Sequence, residues 1–428
     1  MVVFFLFLLI SPILFSLRFS NPYLRAILLV WSSLSFLYQL SPLYLASQSS
    51  SIYPAQYLIY SFFSSVFILL GALLPLNFFS YFTFNLKRIQ FPSISLIYHS
   101  VGLFAAFFLF VILVLRSKYI FLLSLNDNLR FGATQLDFSI GPLGFVLITT
   151  VSSFLLTYCD QDTSLKSILP NATLFRRHRY NIKLSSFLFS IFLLLVLASL
   201  LLLLARGDRN SLLFLLLPFL LRFFNVILIN PYKILLAMNV TAFGSLLLER
   251  YRSLALLQII ENPSLAFQFI NISEGEFAMQ YQNFERILPL SENVNTFGSN
   301  FIPYKSILVD PIVNLLNPLF SFDFLSLAAE YSSIYGEGYG LGFSHQLESA
   351  LNFSWFAMLL YYLPLGIFFR TLSGFAVSNK FFLRYSYFLF FPILFNLFRI
   401  DLSVCVKLYV YSLIPLFFVL WIRHFKVT

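Results

Sequence analysis

Apolar residues in this chain come in long runs broken by short polar stretches, not in the alternating or three-to-four spacing of half-buried elements. Crossing the apolar core of a bilayer takes about 20 mostly apolar residues. Runs of that character cover residues 2–17, 26–46, 55–74, 96–115, 138–158, 184–205, 211–229, 234–248, 353–369, 385–398 and 402–422. They predict an all-α integral membrane protein, a polytopic bundle of about 11 transmembrane helices with one long outer loop. Residues 2–17 lack a basic leading region and a small-residue cleavage site, so this run is read as a span and not as a signal peptide.

Composition supports the membrane reading. Of the 428 residues, 59% are hydrophobic and 10% charged, whereas a soluble domain carries about 25% charged residues. The mean hydropathy is +0.86. The 57 phenylalanines suit lipid-facing helices and aromatic belts. Two cysteines, Cys159 and Cys405, exclude a disulfide framework and a zinc site of paired cysteines. The net charge of +10 is spread between apolar spans, so it speaks for orientation in the bilayer and not for nucleic acid.

That orientation can be read from lysine and arginine. The densest basic cluster, with Arg176, Arg177 and Arg179, lies in the stretch 159–183, and such loops face the cytoplasm. Placing it inside and alternating the spans puts 16 of the 27 basic residues inside and 10 outside, with Lys407 within a span. The C-terminus is then inside. Three segments follow: helices 1–8 over residues 1–248, with the basic inner loop 159–183; a long outer loop over 249–352; and helices 9–11 over 353–428. The loop holds 11 of the 17 acidic residues and only four basic ones, together with a glycine-rich stretch at 336–342. A loop of this length is a functional segment or a folded cap over the helix ends.

A few residues on the outer side could carry chemistry. Arg206, Gly207, Asp208 and Arg209 form a tight turn between two apolar runs. Its arginines either meet lipid headgroups by snorkelling or, in the case of Arg209, bind a phosphate through the planar guanidinium fork. Arg399 stands beside Asp401, where it either neutralises that carboxylate or presents a cation to an outer cavity. Arg130 follows Asp127 in a polar stretch and offers a further cation or a simple ion pair. Glu330 sits in an apolar setting before the glycines, where a carboxylate could act as general base or pair with an outer arginine. His345 is one of four histidines and is either a base or a hydrogen-bonded structural residue. No set of His, Asp or Glu has zinc-site spacing, and there is no GxxxxGK[ST] phosphate loop, so neither a metal nor another cofactor is expected.

The order of these pieces resembles the O-antigen polymerase family, the Wzy-type oligosaccharide repeat-unit polymerases of bacterial inner membranes. The resemblance rests on Gly207-Asp208-Arg209, on Ala329-Glu330 through Gly340, and on Arg399 near Asp401, in that order from about residue 181 onward. It implies a metal-independent, periplasmic-face glycosyltransferase in surface polysaccharide biosynthesis, such as that of lipopolysaccharide. Its donor and acceptor would be polyprenyl-diphosphate-linked oligosaccharides. Membrane lipids, a chain-length regulator and a flippase would be its partners. The resemblance implies that Arg209 and Arg399, with Arg206 and Arg130 behind them, bind the diphosphate, and that Glu330, with His345 in reserve, activates the acceptor hydroxyl. Two alternatives remain open. An O-antigen ligase would use the same donor, and a lipid-linked oligosaccharide flippase or other transporter would show repeated halves, which this chain lacks.

Overall fold

A computed structural model describes residues 2–48, 53–74, 96–122, 141–158, 179–206, 209–223, 345–353, 358–378, 380–400 and 402–424, with short helical pieces at 232–233, 236, 280–286, 312–313 and 316. Every regular element among the described residues is a helix. They are α1 (Val2–Ser16), α2 (Pro22–Tyr38), α3 (Leu40–Gln48), α4 (Tyr53–Leu73), α5 (Leu96–Leu122), α6 (Gly141–Tyr158) and α7 (Arg179–Arg206). The chain continues through α8 (Arg209–Phe223), α9 (His345–Phe353), α10 (Met358–Val377), α11 (Phe381–Leu389), α12 (Phe391–Leu397) and α13 (Leu402–His424).

Five stretches, Pro22–Ala46, Tyr53–Leu73, Ile97–Leu115, Phe187–Leu204 and Leu402–Arg423, are long and apolar enough to cross a membrane. Shorter apolar helices, such as Leu143–Tyr158 and Phe381–Leu397, lie among them. The chain is thus a multi-pass membrane protein, helical in every regular element among the described residues. Its outward faces agree. Phe187, Leu194, Leu197 and Leu201 on α7, Phe104, Phe107 and Phe108 on α5, and Ile414, Phe417 and Trp421 on α13 are all exposed. In water such a girdle would be an aggregation surface; against lipid tails it is the natural exterior.

The interior is organised around α2. Most of α2 is buried, whereas α7 turns Phe187, Leu194, Leu197 and Leu201 outward, so α2 is the central helix and α7 a peripheral one. Asn21 caps the start of α2, its Oδ1 accepting from the N–H groups of Tyr23 (2.9 Å) and Leu24 (3.3 Å). Trp31, midway along, packs on His345, Phe369 and Phe398 and so ties α2 to α9, α10 and the end of α12. Two glycines let α4 and α10 approach backbone to backbone. A Cβ at Gly71 would collide with Leu363 O, and one at Gly366 with Ile68 O. Small residues at such crossings are the usual means by which membrane helices gain packing contact.

The helix ends sort into two sets. At one, Arg370 donates to the last carbonyls of α4, those of Ala72 (3.1 Å), Leu73 (3.0 Å) and Leu74 (2.8 Å). Arg423 donates to Thr157 O at the end of α6 (3.0 Å). These are cations on the negative ends of helices, each satisfying carbonyls that the helix leaves open. Arg18, Arg25, Lys380 and Arg384 belong to the same end, at the α1–α2 and α10–α11 turns. The opposite end gathers the α7–α8 turn, α9 and the α12–α13 turn.

Two expected spans differ in form. Of the run 353–369, Phe353 belongs to α9 and α10 runs from Met358 on to Val377, with 354–357 outside the described residues. The run 385–398 begins at Phe381 and is two helices, α11 and α12, separated at Phe390. Pro392, in the first turn of α12, has no N–H to continue the α11 ladder. The expected span 234–248 and most of the loop 249–352 lie outside the described residues.

Candidate functional site

The site begins with an anomaly in burial. The first five residues of α9 include His345, Gln346, Glu348 and Ser349, and all four are fully buried. Polar groups in such a place are unfavourable unless hydrogen-bonded. Most of these are. His345 Nδ1 lies 2.9 Å from the Tyr362 hydroxyl. That hydroxyl lies 3.0 Å from Ser349 Oγ, which in turn lies 2.6 Å from the Tyr60 hydroxyl. A polar chain thus runs from α9 through α10 to α4. The imidazole is packed against Trp31 and Phe398, each with ring centroids 4.6 Å away.

Three groups stand apart. Among the described residues no hydrogen bond reaches His345 Nε2, the Gln346 amide or the second carboxylate oxygen of Glu348, Oε1. Burial holds the His345 imidazole well below the ordinary histidine range. It is therefore neutral at pH 7, with one ring nitrogen engaged by a tyrosine and the other unengaged.

Glu348 points the other way, towards α13. One carboxylate oxygen, Oε2, accepts from the Tyr361 hydroxyl (3.1 Å) and from the N–H of Leu402 (2.9 Å), the first residue of α13. That bond joins α9 to the α12–α13 turn, where Arg399 sits. The N–H groups of Arg399 and Ile400 both donate to Asn396 O, at 2.8 and 2.9 Å, which holds the other side of the turn. The Arg399 guanidinium then donates from Nη1 to Asn210 Oδ1 (2.9 Å). Asn210 follows Arg209, the first residue of α8.

Three stretches far apart in sequence therefore meet at one end of the bundle: the start of α8 with Arg209, the start of α9 with His345, and the turn carrying Arg399. Arg206 is the last residue of α7, three positions before Arg209. A cation beside a helix N-terminus, which carries about half a positive charge, makes a place where an anion is favoured. Arg130 and Glu330 lie outside the described residues.

Sequence reasoning missed the partners that build this arrangement: Glu348, Ser349, Tyr361, Tyr362, Tyr60 and Asn210. One signal was present. His345, Glu348 and Ser349 stand at spacings of three and four, so they share one helical face. No protein-family model, no curated protein and no solved structure matches the chain.

Proposed function

We propose that this chain is a glycan polymerase of the bacterial inner membrane. It would join polyprenyl-diphosphate-linked oligosaccharide repeat units into O-antigen or a related surface polysaccharide at the periplasmic face. In this reading the chain crosses the membrane about eleven times. The end rich in Arg and Lys faces the cytoplasm, and the end with Arg399 faces the periplasm. The observation that carries the proposal is the hydrogen bond from Arg399 to Asn210, which brings the two outer arginine segments, 206–209 and 399, together beside α9.

The chemistry asked of such a site is the transfer of a glycan from diphosphate to a hydroxyl. The acceptor sugar's hydroxyl oxygen attacks the anomeric carbon of the donor. The bond from that carbon to the diphosphate oxygen breaks, and the electron pair leaves with the diphosphate. The hydroxyl proton passes to a base. Fixed cations opposite the developing diphosphate charge supply the largest share of such catalysis. Arg399 and Arg209 take that role. His345, whose Nε2 has no hydrogen-bond partner among the described residues, is the base proposed to receive the proton. Glu330, the first candidate base from the sequence, is the alternative acceptor of that proton, and Arg206 and Arg130 are further contacts for the diphosphate.

Deleting the gene in its host and resolving the surface glycan by size tests the proposal. A single repeat unit on the lipid core with no ladder is expected. Restoring the gene with Arg209→Ala or Arg399→Ala should leave that phenotype while the protein stays at its normal membrane level. A normal ladder in both variants would sink the diphosphate role. Long glycan accumulating on the polyprenyl carrier, with none on the core, would instead identify a ligase.

A further inference from the structure

We infer that Glu348 is a positioning residue that locks the turn carrying Arg399 to the segment closing the long loop, and thereby fixes the outer cation. The inference takes the importance of Arg399 from the function proposed above, but its geometry can be tested apart from it.

Glu348 is fully buried. A carboxylate in that setting is strongly disfavoured unless specific donors hold it. Its two donors are informative. Tyr361 fixes it to α10, and the Leu402 N–H fixes it to the first residue of α13. A helix leaves its first N–H groups without intrahelical partners, and a carboxylate there also meets the positive end of the helix dipole. Here a cap comes from α9, more than fifty positions earlier in the chain. The turn 398–400 is therefore clamped from both sides, by Asn396 O on α12 and, through Leu402, by Glu348 on α9. Phe398, within the same turn, is wedged against His345 and Trp31. Arg399 has its backbone inside that clamp and its guanidinium directed to Asn210. Moving α9 would move the cation.

What the clamp requires is an acceptor oxygen opposite the Leu402 N–H. Glu348→Gln keeps one, whereas Glu348→Ala removes it. Leu402→Pro removes the donor instead, at a helix position where proline is tolerated, and Leu402→Ala controls for the lost side chain. The full-length chain would be used in native membranes, with Cys159 and Cys405 replaced by serine and with Asn210→Cys and Arg399→Cys as a reporter pair. A short thiol cross-linker then measures how well the turn stays beside α8. Cross-linking should be efficient with Glu348, Glu348→Gln and Leu402→Ala. It should fall about tenfold or more with Glu348→Ala and Leu402→Pro, the ratio expected for losing one buried hydrogen bond to a charged group. In the chain that retains Arg399, polymer should follow the same order, with Glu348→Gln restoring what Glu348→Ala loses.

Equal cross-linking in Glu348→Ala and Glu348→Gln, at equal protein level, would overturn the inference. Should Glu348→Ala fail to accumulate, the comparison of Leu402→Pro with Leu402→Ala decides in its place. A host glycan unchanged by gene deletion would end the polymerase reading, while the cross-linking result would still stand or fall by itself.

Discussion

At His345 a single side chain combines full burial, an aromatic cage and one engaged nitrogen, and its protonation carries consequences for both stability and activity. Unfolded, the imidazole takes a proton near pH 6.5. Folded, burial holds it well below that value. The unfolded chain therefore binds more protons at mildly acidic pH. The stability that comes from keeping His345 neutral is intact above about pH 6.5 and is lost as pH falls towards the folded value. Thermal unfolding of the detergent-solubilised protein should show a midpoint that drops between pH 7 and pH 5. His345→Gln, which has no charge to gain, should show a shallower drop. Equal slopes would mean that His345 is not held neutral by burial. The same substitution should reduce polymer formation by about 10²–10⁴, the usual contribution of a proton acceptor, with the protein level unchanged. Full activity in His345→Gln would transfer that role to Glu330.

Among the elements, the crossing of α4 and α10 is the most exacting. Gly366 faces the Ile68 carbonyl so closely that any side chain would force the helices apart, whereas a Cβ at Gly374, one helical stretch further on, meets nothing within 4 Å. Gly366→Ala should cost about 1–3 kcal/mol, as overpacking commonly does. Gly374→Ala should be neutral or stabilising by up to about 1 kcal/mol, from helix propensity alone. Thermal midpoints of the two variants check this, and equal midpoints would show that the helices separate freely. The elements also show how much of the fold was readable. Uninterrupted apolar runs announced α1, α4, α5 and α7, because a bilayer demands length and apolarity and little else. The break at Phe390 was marked only by Pro392, within a run whose hydropathy never dips. The site was legible in part for a related reason. Arg209 and Arg399 stand out because charge is rare in this chain. Glu348 did not, because its partners are a tyrosine hydroxyl and a backbone N–H that only the packing of α9 on α13 brings near.

For the molecule as a whole the question is which end faces which compartment. Arg179 and Lys183 at the start of α7 join Arg18, Arg25, Arg370, Lys380, Arg384 and Arg423 at one end; Arg206, Arg209 and Arg399 mark the other. Basic residues are held back on the cytoplasmic side because translocating them is unfavourable. The poorer end is also the one where the site lies, so the orientation and the proposed activity make a joint claim. A diphosphate site fed by lipid-linked sugars outside the membrane needs that end outside. Position 210 offers a direct check, since Asn210 is exposed beside Arg399. In intact spheroplasts of a strain whose only cysteine is Asn210→Cys, a membrane-impermeant thiol reagent should label the protein. Ser378→Cys, at the α10–α11 turn, should label only after the membrane is opened. Labelling in the reverse order would put the Arg399 end in the cytoplasm. There an activated donor is a nucleotide sugar or a lipid on the inner leaflet, and the periplasmic polymerase reading would fail even with every residue contact in place. Labelling in the expected order would leave the chemistry at Arg399 and His345 as the remaining question, because the compartment would then hold the substrates that the site requires.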